Sequence, residues 1–156
     1  MGKKTCIHFD PVKPGCEIHN WRMKELDYVI KGLTLNNEHW VDPRYEGKTL
    51  SDIRKEIAER YQATVGQKMQ AKAAPIREAA VVIKPDTTMA DLQLLVKQLE
   101  KEFGIKCIQI HIHRDEGFSK TNPDPSKLNL HAHFVADWTH DDGTSLRLGR
   151  PDTSRM

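Results

Sequence analysis

Alternating apolar and polar residues mark two segments in the second half of the chain as strands. In "CIQIHIH" (107–113) isoleucines alternate with polar residues, and in "LNLHAHFVADW" (128–138) leucine, alanine and phenylalanine alternate with asparagine and histidine. Successive side chains of a strand point to opposite faces, so the isoleucines are expected to face the core and the histidines the other side. The turn-rich stretch "RDEGFSKTNPDPSK" predicts a hairpin connection that makes the two strands neighbours.

Apolar residues at four-residue steps predict two amphipathic helices. The first lies in "TLSDIRKEIAERYQATVGQKMQAKAA" (49–74), with Thr49 or Ser51 as its cap. The second lies in "TTMADLQLLVKQLEKEFG" (87–104), which opens with a Thr88-x-x-Asp91 capping box and closes with glycine.

Three further strands complete the predicted fold. They are "KTCIHFD" (4–10), "EAAVVIK" (78–84) and a short strand at 144–148 after the Asp-Gly turn of "HDDGTSLRL". The order of elements predicts an α+β domain with a mainly antiparallel central sheet, helices packed on one face and a histidine site on the other. Residues 1–156 form one domain. The helix-capping residues at 152–154 predict that it is the N-terminal part of a longer protein.

Composition and charge add few constraints. The 24 basic and 22 acidic residues nearly cancel, so binding partners must be inferred from local sites. Three cysteines without a CxxC pair are typical of reduced thiols in a cytoplasm. The chain has no apolar run long enough to span a membrane and no secretion signal, which predicts a cytoplasmic protein without membrane contact.

The converging histidines predict a metal site. Imidazoles packed on one face repel one another when protonated, whereas a divalent ion gives each of them a partner. We expect His113, His131 and His133 to bind the ion, with His111 in reserve and either Glu116 or Asp115 as a further ligand or an orienting partner. Neutral imidazoles leave the charge of Mn²⁺, Mg²⁺ or Zn²⁺ available to polarise a phosphate oxygen.

Three motifs together resemble a known family. The "HAH" triplet (131–133), faced by "HRDE" (113–116), resembles the HUH endonucleases and, within them, the Mob/Pre mobilisation relaxases of plasmids. The upstream "HNxR" motif of those relaxases is matched by "HNWR" (19–22). The resemblance extends over about residues 15–138, but residues 117–130 replace a much shorter family connection.

The resemblance implies a function in plasmid mobilisation and conjugation. It implies metal-dependent, site-specific nicking and rejoining of single-stranded DNA at an origin of transfer, through a covalent protein–DNA intermediate. His19 is the implied nucleophile, Arg22 would steady the phosphate and Glu116 would complete the catalytic group. Tyr28 and Tyr45 are the alternative nucleophiles, although a neutral imidazole has a free lone pair near pH 7 and a phenol must first lose a proton.

DNA and other mobilisation or transfer proteins are the expected partners. Basic and aromatic side chains near the motifs are candidates for contacts with the DNA backbone and bases. The expected DNA-binding residues are Lys13, Trp21, Lys24, Arg114 and Lys120, with Trp40 and Phe118 as further candidates for stacking.

Three other functions remain open. A rolling-circle replication initiator or transposase would share the HUH chemistry but favour a tyrosine nucleophile. A DNA-binding accessory protein would use the histidines only to hold metal or structure. A cupin-like oxygenase would place His111, His113 and Glu116 on iron, but it needs a barrel of many short strands.

Overall fold

A five-stranded antiparallel sheet forms the centre of the protein. In the computed structural model, residues 7–24, 26–118 and 124–147 are described. The strands are β1 (Asp10–Pro11), β2 (Glu38–Val41), β3 (Ile76–Val82), β4 (Lys106–His113) and β5 (His131–Asp137), in the sheet order β1-β3-β5-β4-β2. The helices are α1 (Cys16–Asn20), α2 (Leu50–Val65) and α3 (Met89–Phe103), with 3₁₀ helices at Lys31–Asn36 and Pro43–Tyr45. Lys120 and the capping residues at 152–154 lie outside the described residues.

The predicted pairing of the two histidine strands is confirmed. β4 and β5 are antiparallel neighbours in the middle of the sheet, with His113 opposite His131 and His111 opposite His133. Directly opposed side chains share a face of the sheet, so this register brings the histidines together. The α+β class and the antiparallel sheet follow the prediction.

Both long helices begin at the predicted threonines. Thr49 and Thr88 each form a capping box with the aspartate three residues on, and α3 ends at Gly104 in the left-handed conformation. α2 ends earlier than its pattern suggested, because Gly66 adopts the left-handed conformation there (φ 79°). Among the described residues, no helix has the length and apolar character needed to cross a bilayer.

The helices cover both faces of the sheet, so the prediction that they pack on one face is wrong. Val96 of α3 packs against Phe134 on the face opposite the histidines. Ile53 and Ile57 of α2 pack against Val135, which lies on the histidine face of β5. The periodicity of α2 identified its buried residues, but it carries no information on which face of the sheet they would cover.

A β-bulge in β4 explains how one strand contributes to both packing layers. The register with β5 shifts between Cys107 and Gln109. Regular alternation would place Cys107 on the histidine face and Ile108 on the other. Instead Cys107 packs in the α3 cluster and Ile108 joins the α2 cluster. The extra residue of a bulge reverses the facing of the side chains before it.

Other strand predictions are corrected at the edges of the sheet. β2 was not predicted, because "EHWV" is short and lacks alternation. Within the described part of the predicted strand 4–10 only Asp10 is assigned to a strand, and β1 is Asp10–Pro11. The predicted strand at 144–148 is reduced, where described, to a single bridge between Thr139 and Ser145.

Replacing Gly143 with alanine should destabilise the fold by about 3 kcal/mol or more. Gly143 has φ 87°, and a Cβ there would lie 2.5 Å from the backbone nitrogen of Tyr61 and 2.8 Å from the carbonyl oxygen of Ile57 on α2. The left-handed conformation alone costs alanine about 1–2 kcal/mol, and the contact with rigid helix backbone adds to it. Urea unfolding would measure the change. Gly47→Ala is the matched control, because its φ of 77° is similar and nothing lies within 4 Å of its Cβ. Equal losses in the two variants would contradict the proposed close approach.

Candidate metal centre

Three predicted ligands lie together on the central strands. The ring centroids of His113 and His131 are 5.3 Å apart, those of His131 and His133 4.8 Å, and those of His113 and His133 4.9 Å. His113 is fully buried, and side-chain exposure is only 10% for His131 and 13% for His133. The register of β4 and β5 therefore forms the histidine cluster that the sequence predicted.

Glu116 lies at the centre of this cluster. Its Oε2 is 3.1 Å from Nδ1 of His113 and 3.2 Å from Nε2 of His131. Its backbone carbonyl accepts a hydrogen bond from the amide of Asn129 at 2.8 Å, which fixes it beside the start of β5. Burial alone would raise the pKa of Glu116, but its contacts with His113, His131 and Arg22 hold the pKa well below its usual value. Glu116 is therefore a charged carboxylate.

The tautomers of His113 and His131 indicate a cation site. Nε2 of His113 lies 3.0 Å from the carbonyl oxygen of Asn20, and Nδ1 of His131 lies 2.8 Å from that of Asn129. A carbonyl oxygen can only accept, so these two nitrogens carry the protons. The other two nitrogens, Nδ1 of His113 and Nε2 of His131, lie beside Oε2 of Glu116 and 3.4 Å from each other. Imidazole nitrogens and a carboxylate that converge in this way could hold a cation, and carbonyl groups behind the rings are typical of metal-binding histidines.

Glu116 also favours a positive charge on His131. Burial opposes protonation of His131, but the hydrogen bond to Glu116 raises the pKa of His131 above its usual value. A divalent ion would satisfy the same groups more completely.

His133 has an orienting partner that the sequence analysis missed. Its Nδ1 lies 2.5 Å from Oε1 of Glu78, at an angle outside the usual range for a hydrogen bond, and its Nε2 is buried without a hydrogen-bond partner among the described residues. Burial opposes the charge of Glu78, but His133 and Cys16 lower its pKa to about 2. The only signal in the sequence was a glutamate in the apolar run "EAAVV" of β3. Ala80 opposes His133, which places Glu78 two residues along on the same face.

His19 lies at the solvent side of the cluster. One ligand atom from each of four residues, namely His19, His113, Glu116 and His133, lies within 4.8 Å of all the others, so this group could hold a metal ion. Nε2 of His19 is 3.7 Å from Oε2 of Glu116. The His19 side chain is 30% exposed and that of Glu116 only 8%. His19 is thus the member of this group that a substrate can reach most easily.

The environment of His19 keeps it neutral. Burial lowers its pKa to about 4. The charge of Glu116 opposes this effect, and weaker effects of Arg22, His113 and His133 add to the lowering. Nδ1 of His19 is 2.9 Å from the hydroxyl of Tyr28, so Nε2 is the nitrogen that faces the site.

The two tyrosines named as alternative nucleophiles differ in position. Burial and the negative charge of Glu116 raise the pKa of Tyr28, which favours its protonated form. Tyr45 is buried under α2 and donates its hydroxyl to Asp137 at the far end of β5. Only Tyr28 lies beside the histidine cluster.

Arg22 connects the acidic residues to α1. Its guanidinium donates to Asp115 at 2.7 and 2.9 Å, to Glu116 at 2.6 Å and to the carbonyl oxygen of His19 at 2.7 Å. The side chain is only 7% exposed, so Arg22 orients these groups. Its contact with a phosphate stays a prediction. Asp115 also accepts from Thr34, which leaves Asp115 as an orienting partner and Glu116 as the carboxylate at the centre.

His111 forms its side-chain hydrogen bonds outside the histidine cluster. Its Nδ1 lies 2.7 Å from Nδ1 of His39, and its Nε2 lies 2.8 Å from Oε1 of Gln109. Burial and the neighbouring histidines, His39 first among them, lower the pKa of His111 to about 3. The arrangement gives no support to its reserve role as a ligand.

A cleft opens beside the cluster. A cavity of about 470 Å³ is lined by Lys13, His19, Glu78, Ala80 and His133, among others. This places the predicted DNA-binding residue Lys13 beside the candidate nucleophile. A separate cavity of about 320 Å³ has Lys24 and Arg22 in its wall.

The remaining predicted DNA contacts have mixed positions. Trp21 is 36% exposed and Phe118 is 72% exposed, so both are accessible. Trp40 packs against the α3 core cluster. Arg114 is bound to Glu38 at 2.6 Å and to the carbonyl oxygen of Thr87, so its charge is already paired.

Replacing Glu78 with glutamine should weaken Mn²⁺ binding by about 10–100-fold, because it removes the carboxylate beside Nδ1 of His133. Isothermal titration calorimetry would measure the affinity. Glu59→Gln is the control, since Glu59 is exposed on α2. Unchanged affinity in the Glu78 variant would show that His133 needs no orienting partner.

Comparison of this chain with protein-family models, with curated proteins and with solved structures found no significant match.

Proposed function

We propose that the protein is a metal-dependent nickase of single-stranded DNA, which cleaves and rejoins a phosphodiester through a covalent protein–DNA intermediate. The observation that carries the proposal is the position of His19. It is neutral and partly exposed, it lies 3.7 Å from the carboxylate at the centre of a cation site, and it opens onto a cleft. The motifs shared with the Mob/Pre relaxases suggest an origin of transfer as the substrate and plasmid mobilisation as the process.

The proposed ligands are His113, His131, His133 and Glu116. Three neutral imidazoles and one carboxylate cancel only one of the two charges of a divalent ion, so the site retains an attraction for phosphate. The mixture of nitrogen and oxygen ligands suits Mn²⁺ or Zn²⁺, and Mg²⁺ is an alternative. When bound, the ion would polarise a non-bridging oxygen of the scissile phosphate and stabilise the charge that develops there.

His19 attacks the phosphorus in the proposed reaction. The lone pair on Nε2 forms the nitrogen–phosphorus bond, the bond from phosphorus to the 3′ oxygen breaks, and that oxygen takes a proton from water. The protein is then linked to the 5′ side of the break. Attack by Nε2 requires the proton of the neutral ring to be on Nδ1, where the hydroxyl oxygen of Tyr28 lies at 2.9 Å and can accept a hydrogen bond from the Nδ1–H group. Reversal of the same steps rejoins the strand.

Arg22 supports this reaction by positioning other groups. It binds the carbonyl oxygen of His19 and the carboxylate of Glu116, and it thereby fixes the nucleophile relative to the cation site. It also supplies the positive charge that helps to keep His19 neutral.

The alternatives make different predictions. A replication initiator or transposase with a tyrosine nucleophile would use Tyr28, for which His19 would be the base at 2.9 Å. A DNA-binding accessory protein would retain DNA without forming an adduct. The cupin-like oxygenase is poorly supported, because the described sheet has two edge strands, β1 and β2, and does not close into a barrel.

The test uses end-labelled single-stranded oligonucleotides that tile the DNA flanking the gene. Each is incubated with the protein and Mn²⁺ and run on a denaturing gel. We expect one oligonucleotide to give a protein-linked product that disappears with a chelator, and its fully duplex form to give none. Retention of DNA without any adduct would support the accessory-protein alternative instead.

A further inference from the structure

Trp21 forms an exposed aromatic surface next to the candidate metal centre. Its ring stacks on that of His39, with centroids 4.6 Å apart and an angle of 21° between the planes. The ring of His111 meets Trp21 edge-on at 4.7 Å and 80°. We call this stacked pair the Trp21–His39 shelf. Trp21 is 36% exposed, so part of an aromatic ring is available to a ligand.

Hydrogen bonds hold the shelf in place. His39 of β2 lies opposite His111 of β4, and their Nδ1 atoms are 2.7 Å apart. Because Nε2 of His111 donates to Oε1 of Gln109, its Nδ1 accepts a hydrogen bond from the Nδ1–H group of His39. The ring behind Trp21 is therefore fixed by the sheet, and little ordering is needed when a ligand stacks on it.

The shelf is close to the proposed reaction. Trp21 follows His19 by two residues, and the ring of His111 is 6.5 Å from that of His113. Trp21 meets His111 edge-on at 4.7 Å, so one imidazole ring separates the shelf from the proposed ligand His113. A strand whose phosphate lies at the cation site would therefore have a nearby base within reach of the shelf.

The surroundings of Trp21 favour an apolar, planar ligand. Ile18 and Met23 lie three residues before and two residues after Trp21, and they are 47% and 70% exposed. Exposed aromatic side chains near basic residues are typical of surfaces that bind single-stranded nucleic acid, and Lys13 lies in the wall of the cleft at His19.

We propose that the Trp21–His39 shelf stacks on a nucleobase of the single-stranded DNA near the cleaved phosphate. This inference rests on the proposed function and assigns a base-binding role to the surface beside its reactive centre. Stacking on tryptophan tolerates any base, so the shelf would contribute affinity and strand position and little sequence preference.

The test compares two probes with equal backbones. One is an oligothymidylate of about 16 nucleotides, and the other is an abasic deoxyribose-phosphate oligomer of the same length. We expect the oligothymidylate to quench tryptophan fluorescence, and Trp21→Phe to remove that quenching while it retains most of the affinity. Trp21→Ala should weaken oligothymidylate binding about 10-fold and leave abasic binding unchanged. Trp40→Phe is the control and should keep the quenching, since Trp40 packs in the core cluster.

Other results would overturn the inference. If Trp21→Ala lowers the affinity for both probes equally, Trp21 either contacts the DNA backbone or is needed for folding. A melting curve of the variant would distinguish these two roles. Absence of quenching, or of oligothymidylate binding, would exclude the shelf as a base-binding surface. Conversion of a dimer to a monomer by Trp21→Ala, seen by sedimentation, together with unchanged DNA affinity, would make the shelf an interface between copies. The adduct assay is separate, so a nickase with an inert shelf and a base-binding protein without nicking give distinguishable results.

Discussion

Replacing His131 with alanine should abolish nicking and the stabilisation that Mn²⁺ gives to the folded protein. Nε2 of His131 lies 3.2 Å from Oε2 of Glu116, so the change removes a proposed ligand and a partner of the carboxylate. At an ion concentration about 100-fold above the dissociation constant, binding should raise the melting temperature of the wild type by roughly 5–10 °C. The variant should show almost none of this rise, and its nicking rate should fall by about 10³-fold or more.

The fold should survive this change. His131 lies on the site face of β5, and the α3 core cluster on the other face includes its neighbour Ala132 but not His131. His140→Ala is the matched control, because His140 is exposed in a turn outside the site. If the His131 variant nicks DNA at the wild-type rate at any Mn²⁺ concentration, the assignment of His131 as a ligand is wrong.

Replacing His19 with alanine should abolish the covalent adduct and leave most of the Mn²⁺-dependent stabilisation in place. The loss of a nucleophile should reduce the cleavage rate by about 10³-fold or more. Tyr28→Phe removes only the hydroxyl 2.9 Å from Nδ1, so we expect a reduction of about 10–100-fold with the adduct still formed. Single-turnover cleavage rates of both variants would be measured on the oligonucleotide that the wild type cleaves.

The adduct itself identifies the nucleophile. A nitrogen–phosphorus bond to histidine is cleaved by acid, whereas an oxygen–phosphorus bond to tyrosine is stable to it, so acid treatment before peptide mapping separates His19 from Tyr28. An acid-stable adduct that Tyr28→Phe abolishes would make Tyr28 the nucleophile. Loss of the Mn²⁺ stabilisation in the His19 variant would instead make His19 a ligand, as its place in the four-residue group permits.

The elements with a clear local signal were predictable from the sequence. α3 has regular apolar spacing and a cap at each end, and β4 and β5 have alternation together with a turn-rich connection. β2 has four residues and is defined by its pairing with β4, about 70 residues away in the chain. The face of the sheet that α2 covers could not be predicted from the sequence either, since it depends on the topology of the whole sheet.

The residues of the site also fall into those with a local signal in the sequence and those without one. His113, His131 and His133 follow from strand alternation, which is local. The contact of Glu78 with His133 and that of Arg22 with Asp115 join residues that are far apart in the sequence. The only local signal for either contact is the polar Glu78 in an apolar run. The position of Glu116 is independent of the long connection after it, because the amide of Asn129 donates to its carbonyl oxygen and closes the hairpin before the loop begins.

The bulge between Cys107 and Gln109 determines which changes of length β4 can tolerate. Deleting one residue there would restore plain alternation, and either the residues before it or the histidines after it would have to turn over. In the second case Ile110 and Ile112 would enter the site while His111 and His113 entered the core around α3. Single-residue insertions and deletions in β4 should therefore disrupt the site, whereas changes of length between Gly117 and Leu128 leave the pairing of β4 and β5 unchanged.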